Sequence, residues 1–194
     1  MKLRTLLVAA TAATAVTASV ALGVTSAHAT SAHSAGAPVR ACTASDLGVW
    51  LAVDQGNGAL GTIYYPLQFT NLSGHSCSLY GYPGVSVTGD NGQRLGSPAN
   101  WIAGYDRKRV VDLAPGATAH TLLAYRDAAV STEEGCDPVT EPSDLSVIPP
   151  GQRAATDAAF GFESCSRPGP IYMTVVEPIQ PGPGTMYSTL QMRP

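Results

Sequence analysis

The chain has 194 residues, 13% of them charged, and a formal net charge of −3 at pH 7. The charged share is about half the usual one. There is no clustered basic face of the kind nucleic-acid binders use, and the single basic run, Arg107-Lys108-Arg109, is the size of a solvated turn.

Lys2 and Arg4 open the chain, and an apolar run diluted by Ala, Thr and Ser extends from Leu6 to Val24 before Ala27-His28-Ala29. A charged start, an apolar middle and a small-x-small end form the pattern of a cleavable signal peptide over residues 1–29, with the mature chain starting at Thr30. The run is nearly long enough to span a bilayer, but the Ala/Thr dilution and the cleavage site favour a signal over an anchor. Arg40, two residues before Cys42, argues against lipid attachment at that cysteine. Removing Lys2 and Arg4 from the eleven basic residues leaves nine against fourteen acidic ones, a net charge of −5. The remaining length suits one domain that buries roughly 70% of its unfolded-chain surface. Residues 30–40 read as a flexible leader, and residues 41–194 as a single β-sandwich domain.

From Cys42 onward the dominant signal is alternation. Leu47, Val49, Leu51 and Val53 share one face of a strand, and Ile63, Tyr65, Leu67 and Phe69 share a face of the next, with a loop from Asp54 to Gly61 between them. Pro66 places this second strand at an edge or at a bulge. Asn71-Leu72-Ser73-Gly74 closes it; the asparagine opens a glycosylation sequon, but an Asx turn is the preferred reading. Cys77 to Tyr80 leads into Gly81-Tyr82-Pro83-Gly84, and Val85 and Val87 alternate after it. Asp90-Asn91-Gly92 reads as a hairpin turn. Val111 and Leu113 precede a type II turn at Pro115-Gly116, and Ala117 to Arg126 forms a long strand. Leu145 and Val147 run into Pro149-Pro150-Gly151, and Ile171, Met173 and Val175 form a last strand. Short strands punctuated by Gly/Pro turns, with no helical stripe, make an all-β antiparallel sandwich.

Four cysteines follow the signal: Cys42, Cys77, Cys136 and Cys165. An even number in an exported chain implies two disulfides with three possible connectivities. Pairing residues 47–53 with 62–70 as a hairpin brings Cys42 and Cys77 just beyond its open end. Cys136 and Cys165 are likewise centred on Pro150-Gly151, so the expected pairs are 42–77 and 136–165. No Cys-x-x-Cys or His-x-x-x-His spacing supports a metal site.

Catalytic motifs are absent. Gly84-Val85-Ser86-Val87-Thr88 lacks the last glycine of a nucleophile elbow and falls in a strand. His33 lies in the leader, His75 beside a turn, and His120 alternates with Thr118 and Leu122, which reads as a solvent-facing strand position rather than a general base. Glu133-Glu134 are too close in sequence to flank a substrate as glycosidase carboxylates do. The expectation is therefore a protein without catalysis or cofactor. One stretch remains as a binding surface: Asn100 to Arg109 carries Trp101, Ile102 and Tyr105 beside Asp106, Arg107 and Arg109. Amphipathic aromatics with an arginine suit sugars, peptides or protein partners, which makes Trp101, Tyr105 and Arg107 the candidate ligand contacts. The competing expectation, and the favoured one, is that Trp101 is buried as a cap on the open end of the sandwich.

The segments Ala41-Cys42-Thr43, Phe69-Thr70-Asn71-Leu72-Ser73-Gly74, Cys77-Ser78-Leu79-Tyr80-Gly81-Tyr82-Pro83-Gly84-Val85, Leu113-Ala114-Pro115-Gly116-Ala117 and, more loosely, Val147-Ile148-Pro149-Pro150-Gly151 resemble domain-of-unknown-function family 4232, a family of exported actinobacterial proteins. The resemblance covers most of residues 41–151. It implies an immunoglobulin-like sandwich, secreted or tethered, with no established activity or ligand and hence no catalytic residue to carry over. Many relatives look like lipoproteins; this chain departs from them in lacking a usable lipid-attachment cysteine. The function expected is that of a secreted, non-catalytic binding or structural module, with a protein or glycan partner at the cell surface, no nucleic acid, and no membrane association after cleavage. The alternative is a disulfide-stapled protease inhibitor using the polar segment Ala128 to Asp144 as bait; a hydrolase has only scattered Ser, His and Asp behind it.

Overall fold

The computed structural model describes residues 39–59, 61–102, 108–126, 136–139, 143–169 and 172–185; the expected signal peptide and most of the leader lie outside them. A 3-10 turn at Ala44–Asp46 leads into β1 (Leu47–Leu51), and a second at Val53–Gln55 into β2 (Asn57–Ala59). There follow β3 (Thr62–Asn71), β4 (Cys77–Tyr80), β5 (Gly84–Gly89), β6 (Arg94–Leu95), β7 (Asn100–Trp101), β8 (Val110–Leu113) and β9 (Thr118–Arg126). The remaining strands are β10 (Pro138–Val139), β11 (Ser143–Ile148), β12 (Thr156–Phe160), β13 (Ser164–Cys165), β14 (Met173–Val175) and β15 (Gln180–Pro181).

One sheet runs β1-β3-β9-β14-β7, with β2 on β3 and β15 on β9; a second runs β12-β11-β5-β6, and β4–β8 and β10–β13 form two-stranded ribbons. Alternation decides which side chains turn inward: Leu47, Val49 and Leu51 from β1 and Leu67 and Phe69 from β3 share one core with Val85, Val87, Leu145, Val147 and Phe160 of the second sheet. Burying such side chains is worth about 1.5–3 kcal/mol each, so the two apolar faces close on each other. The chain is mostly β, as its alternation predicts. The pairing is not wholly antiparallel, because β7 runs parallel to β14.

The β1–β3 pairing forms as expected but shifted by two residues from the even pairing of 47–53 with 62–70, with Leu47 opposite Asn71 and Leu51 opposite Leu67, a shift that leaves the inward faces unchanged. Beyond its open end Cys42 is bonded to Cys77, and Cys136 is bonded to Cys165 where β10 meets β13. At Pro115-Gly116 the Ala117 amide donates to Ala114 O at 2.9 Å and Gly116 has φ +77°, the left-handed conformation a type II turn requires.

Three expectations are corrected. Pro66 is not at an edge, since β3 lies between β1 and β9. Its carbonyl accepts from the Ala52 amide at 2.9 Å, so its missing donor faces the gap where β1 has ended and β2 has not begun. The Asp54 to Gly61 segment is not plain loop but holds a 3-10 turn and β2. Val53, expected to face inward with Leu47, Val49 and Leu51, lies instead in the 3-10 turn after β1 and is 55% exposed. Thr156–Phe160, for which the sequence carries no expectation, is a strand, β12, paired with β11; Thr-Asp-Ala-Ala-Phe has weak β propensity, and its partner strand imposes the conformation.

Asp46 fastens the start of the domain. Its carboxylate accepts from the Thr43 amide at 2.7 Å and the Thr43 hydroxyl at 2.6 Å, and from both terminal nitrogens of Arg40 at 2.9 and 2.8 Å. The Arg40 and Thr43 donors hold this carboxyl far below its ordinary 3.8, which means that the folded state favours the ionised form. The contribution is therefore present above pH 3.8 and fades as the pH falls further. Asp46→Asn should unfold a few degrees below wild type at pH 7 in thermal melts, and that difference should shrink on acidification below pH 3.8.

Candidate functional site

The sequence Gly81-Tyr82-Pro83-Gly84 turns the chain from β4 to β5, and the Ile179 amide pins the turn by donating to Gly81 O at 2.9 Å. The Tyr82 ring stacks on Trp101 with centroids 5.8 Å apart and planes inclined by 23°. The indole N–H donates to Pro83 O at 3.0 Å, and the Tyr82 hydroxyl donates to Ile102 O at 3.2 Å. Lys108 places its ammonium 5.7 Å from the Tyr82 centroid, within cation–π range. Trp101 is thus fixed by a stack and a hydrogen bond while remaining 57% exposed.

Burial of Trp101 as a cap does not occur. It stands on β7, which pairs with β14 alone, and no described residue closes over it. Trp50 is 43% exposed, so neither tryptophan follows the expectation of burial. Around the same turn Tyr80 and Val110 face each other across β4 and β8, and Ile148 lies opposite Gly84; all three are exposed, as is Ile102. Exposed apolar side chains gathered around one turn are of the kind that mark interaction sites when they form one patch.

Of the residues expected to contact a ligand, Trp101 sits in this cluster, while Tyr105 and Arg107 lie outside the described residues. Tyr82 and Lys108 were not singled out from the sequence. Tyr82 carried a usable signal: an aromatic held between two turn formers cannot continue the inward alternation of β4. Lys108 carried none beyond its place in a charged run.

His120 is corrected as well. It is 2% exposed, not solvent-facing. Ala119 and Leu123 of β9 belong to the core, so His120 points to the outer side of the sheet, where residues 182–185 cover it. Its Nδ1 lies 2.8 Å from Gly182 O, and Nε2 lies 3.8 Å from Glu177 Oε1. Burial pushes the imidazole pKa below 6.5, the Gly182 hydrogen bond partly offsets this, and the Arg109 cation lowers it further. Gly182 and Gly184 of the covering segment thus stand between this imidazole and solvent.

Asn71 adopts the Asx turn, with the Ser73 amide donating to its Oδ1 at 2.9 Å, and the side chain is fully buried. Its amide donates to His75 O and Leu113 O, at 2.8 and 2.9 Å, which leaves no face for a glycan. Glu133-Glu134 and most of the suspected bait segment lie outside the described residues. No group of three or more metal-ligating side chains occurs among the described residues.

These features define a disulfide-stapled, two-layered β domain that displays one ordered aromatic cluster. The chain belongs to the domain-of-unknown-function family 4232, whose family model matches residues 42–174, from the first cysteine of the Cys42–Cys77 bridge into β14. Neither the curated proteins nor the solved structures yield a match.

Proposed function

We propose that this protein is an exported, non-catalytic binding domain of immunoglobulin-like sandwich fold, acting outside the cytoplasm on a protein or glycan at the cell surface. The observation that carries the reading is Trp101, held rigid against Tyr82 and Pro83 yet largely in water. An aromatic side chain immobilised before binding loses little conformational entropy when a partner covers it, which is how a few aromatics dominate binding energies. Export is supported by the signal pattern of residues 1–29 and by two disulfides, which persist in oxidising compartments. Among the described residues no helix is long and apolar enough to cross a membrane. The non-catalytic reading is supported by the covered His120, and no cofactor is invoked.

The test is retention of the mature protein on envelope polysaccharide and on immobilised secreted proteins, comparing wild type with Trp101→Ala and Tyr82→Ala. Loss of either aromatic should weaken binding by more than about tenfold, with little change in unfolding temperature for Trp101→Ala. Equal retention of wild type and both variants, or no retention of any, would remove this surface from the function.

A further inference from the structure

After β15 the chain continues as Gly182-Pro183-Gly184-Thr185 across the outer face of β9 and β3, beyond the segment that the family model matches. Gln68 and His120, opposite each other on these strands, are its fixings. Gln68 Nε2 donates to Gly184 O at 2.9 Å, and the Gly184 amide donates back to Gln68 Oε1 at 3.1 Å, a side-chain amide imitating a strand. Gly182 O faces His120 Nδ1; because a carbonyl only accepts, Nδ1 carries the proton and Nε2 is bare. The approach is close enough that a Cβ on Gly184 would meet the His120 ring at 2.7 Å and Pro66 Cβ at 2.9 Å.

No large apolar side chain anchors this stretch. Pro183 is exposed, and the nearest fully buried aliphatic group, Ile179, precedes β15. A segment held mainly by polar contacts opens at lower free energy than the core beneath it. Charged groups face His120 from two sides: Glu177, in the link between β14 and β15, stands 3.8 Å from Nε2. Arg109, just before β8, donates to Gln180 Oε1 at 2.9 Å. Gln68 on β3 and Gln180 on β15 are neutral.

We propose that residues 182–185 are an acid-released clasp with His120 as its latch: protonating the imidazole frees the segment from β9 and β3 while the two-layered core stays folded, uncovering Gln68 and His120. With the clasp closed, burial and Arg109 oppose the imidazolium and outweigh the Gly182 hydrogen bond that favours it; with it open, water solvates the cation and the ordinary value of 6.5 returns. Opening is thereby linked to proton uptake. Its equilibrium constant grows as pH falls below 6.5, by up to about tenfold per pH unit, and levels off below the pKa of the closed state.

Amide hydrogen exchange on the intact exported chain, corrected for intrinsic rates, tests this with the Gly184 amide as reporter. Between pH 7.5 and 5 its protection should fall by up to about tenfold per unit below 6.5, while the β3 and β9 amides that pair with each other stay protected. His120→Gln should abolish the dependence, Glu177→Gln should retain it, and Gly184→Ala should leave the clasp open at both pH values. Pairwise loss of protection throughout β3 and β9 would mean global unfolding and overturn the proposal, as would pH-independent protection in wild type. Should His120→Gln fail to fold, the wild-type imidazole resonances decide. A titration midpoint at or above 6.5, or one that the Gly184 amide shift does not follow, overturns the proposal.

Discussion

Replacing Cys42 and Cys77 by serine should lower the unfolding temperature by more than replacing Cys136 and Cys165, and by on the order of 10 °C or more. The bridges span 35 and 29 residues, so loop-closure entropy assigns each about 3–4 kcal/mol and barely separates them. Surroundings separate them. Cys42 and Cys77 are both fully buried in the main core, whereas in the second pair only Cys165 is buried there and Cys136, just before the two-residue strand β10, is partly buried. Serines at the first pair would bury two hydroxyls among apolar side chains, at about 1–3 kcal/mol for each left unsatisfied. The first bridge also holds the start of the domain against β4, where the Cys42 amide donates to Ser78 O at 2.9 Å and the Ser78 amide to Arg40 O at 2.8 Å. Thermal melts of the two double mutants decide. Equal losses would leave chain entropy as the whole account, and a larger loss at the second pair would place the critical packing near β10 and β13.

Asn71→Ala should cost about 3 kcal/mol, far above the usual effect of a turn substitution. The side chain is a buried junction: its amide satisfies His75 O in the turn and Leu113 O at the end of β8, while its Oδ1 receives the Ser73 amide and the Ser73 hydroxyl at 2.9 and 2.7 Å. Alanine would strand these groups, of which Leu113 O is most deeply enclosed. Asn71→Asp separates the two halves of the role, because it keeps the acceptor and loses both donors. It should be nearly as destabilising as alanine in urea unfolding at pH 7. A loss below about 0.5 kcal/mol for alanine would show that water replaces the asparagine there.

What could be read from the residues was what neighbours along the chain dictate. Alternation from Leu47 to Val53 and from Ile63 to Phe69 placed the inward faces as far as Leu51 on the first strand, beyond which Val53 turns out to solvent. The Pro115-Gly116 pair specified its turn through the φ that only glycine adopts cheaply, and hairpin register carried the cysteines into their pairs. Each is a local rule acting over a few residues, or one hairpin extrapolated a few residues further. The aromatic cluster was half legible: Trp101 stood out by composition, but its exposure did not, because that depends on β7 lying outermost beside β14. Tyr82 joins it only because the Gly81–Gly84 turn and β7 meet in space. His120 reads as an ordinary outward strand position, and it is outward; what buries it is a Pro/Gly segment more than sixty residues downstream with no apolar pattern to betray its path. Strand β12 and the interior placement of Pro66 were settled in the same way, by the partner strand in one case and the gap between β1 and β2 in the other. Local periodicity and turn chemistry lie in the order of the residues themselves. Which surface is covered, and by what, is decided only when distant segments compete for the same face of a sheet.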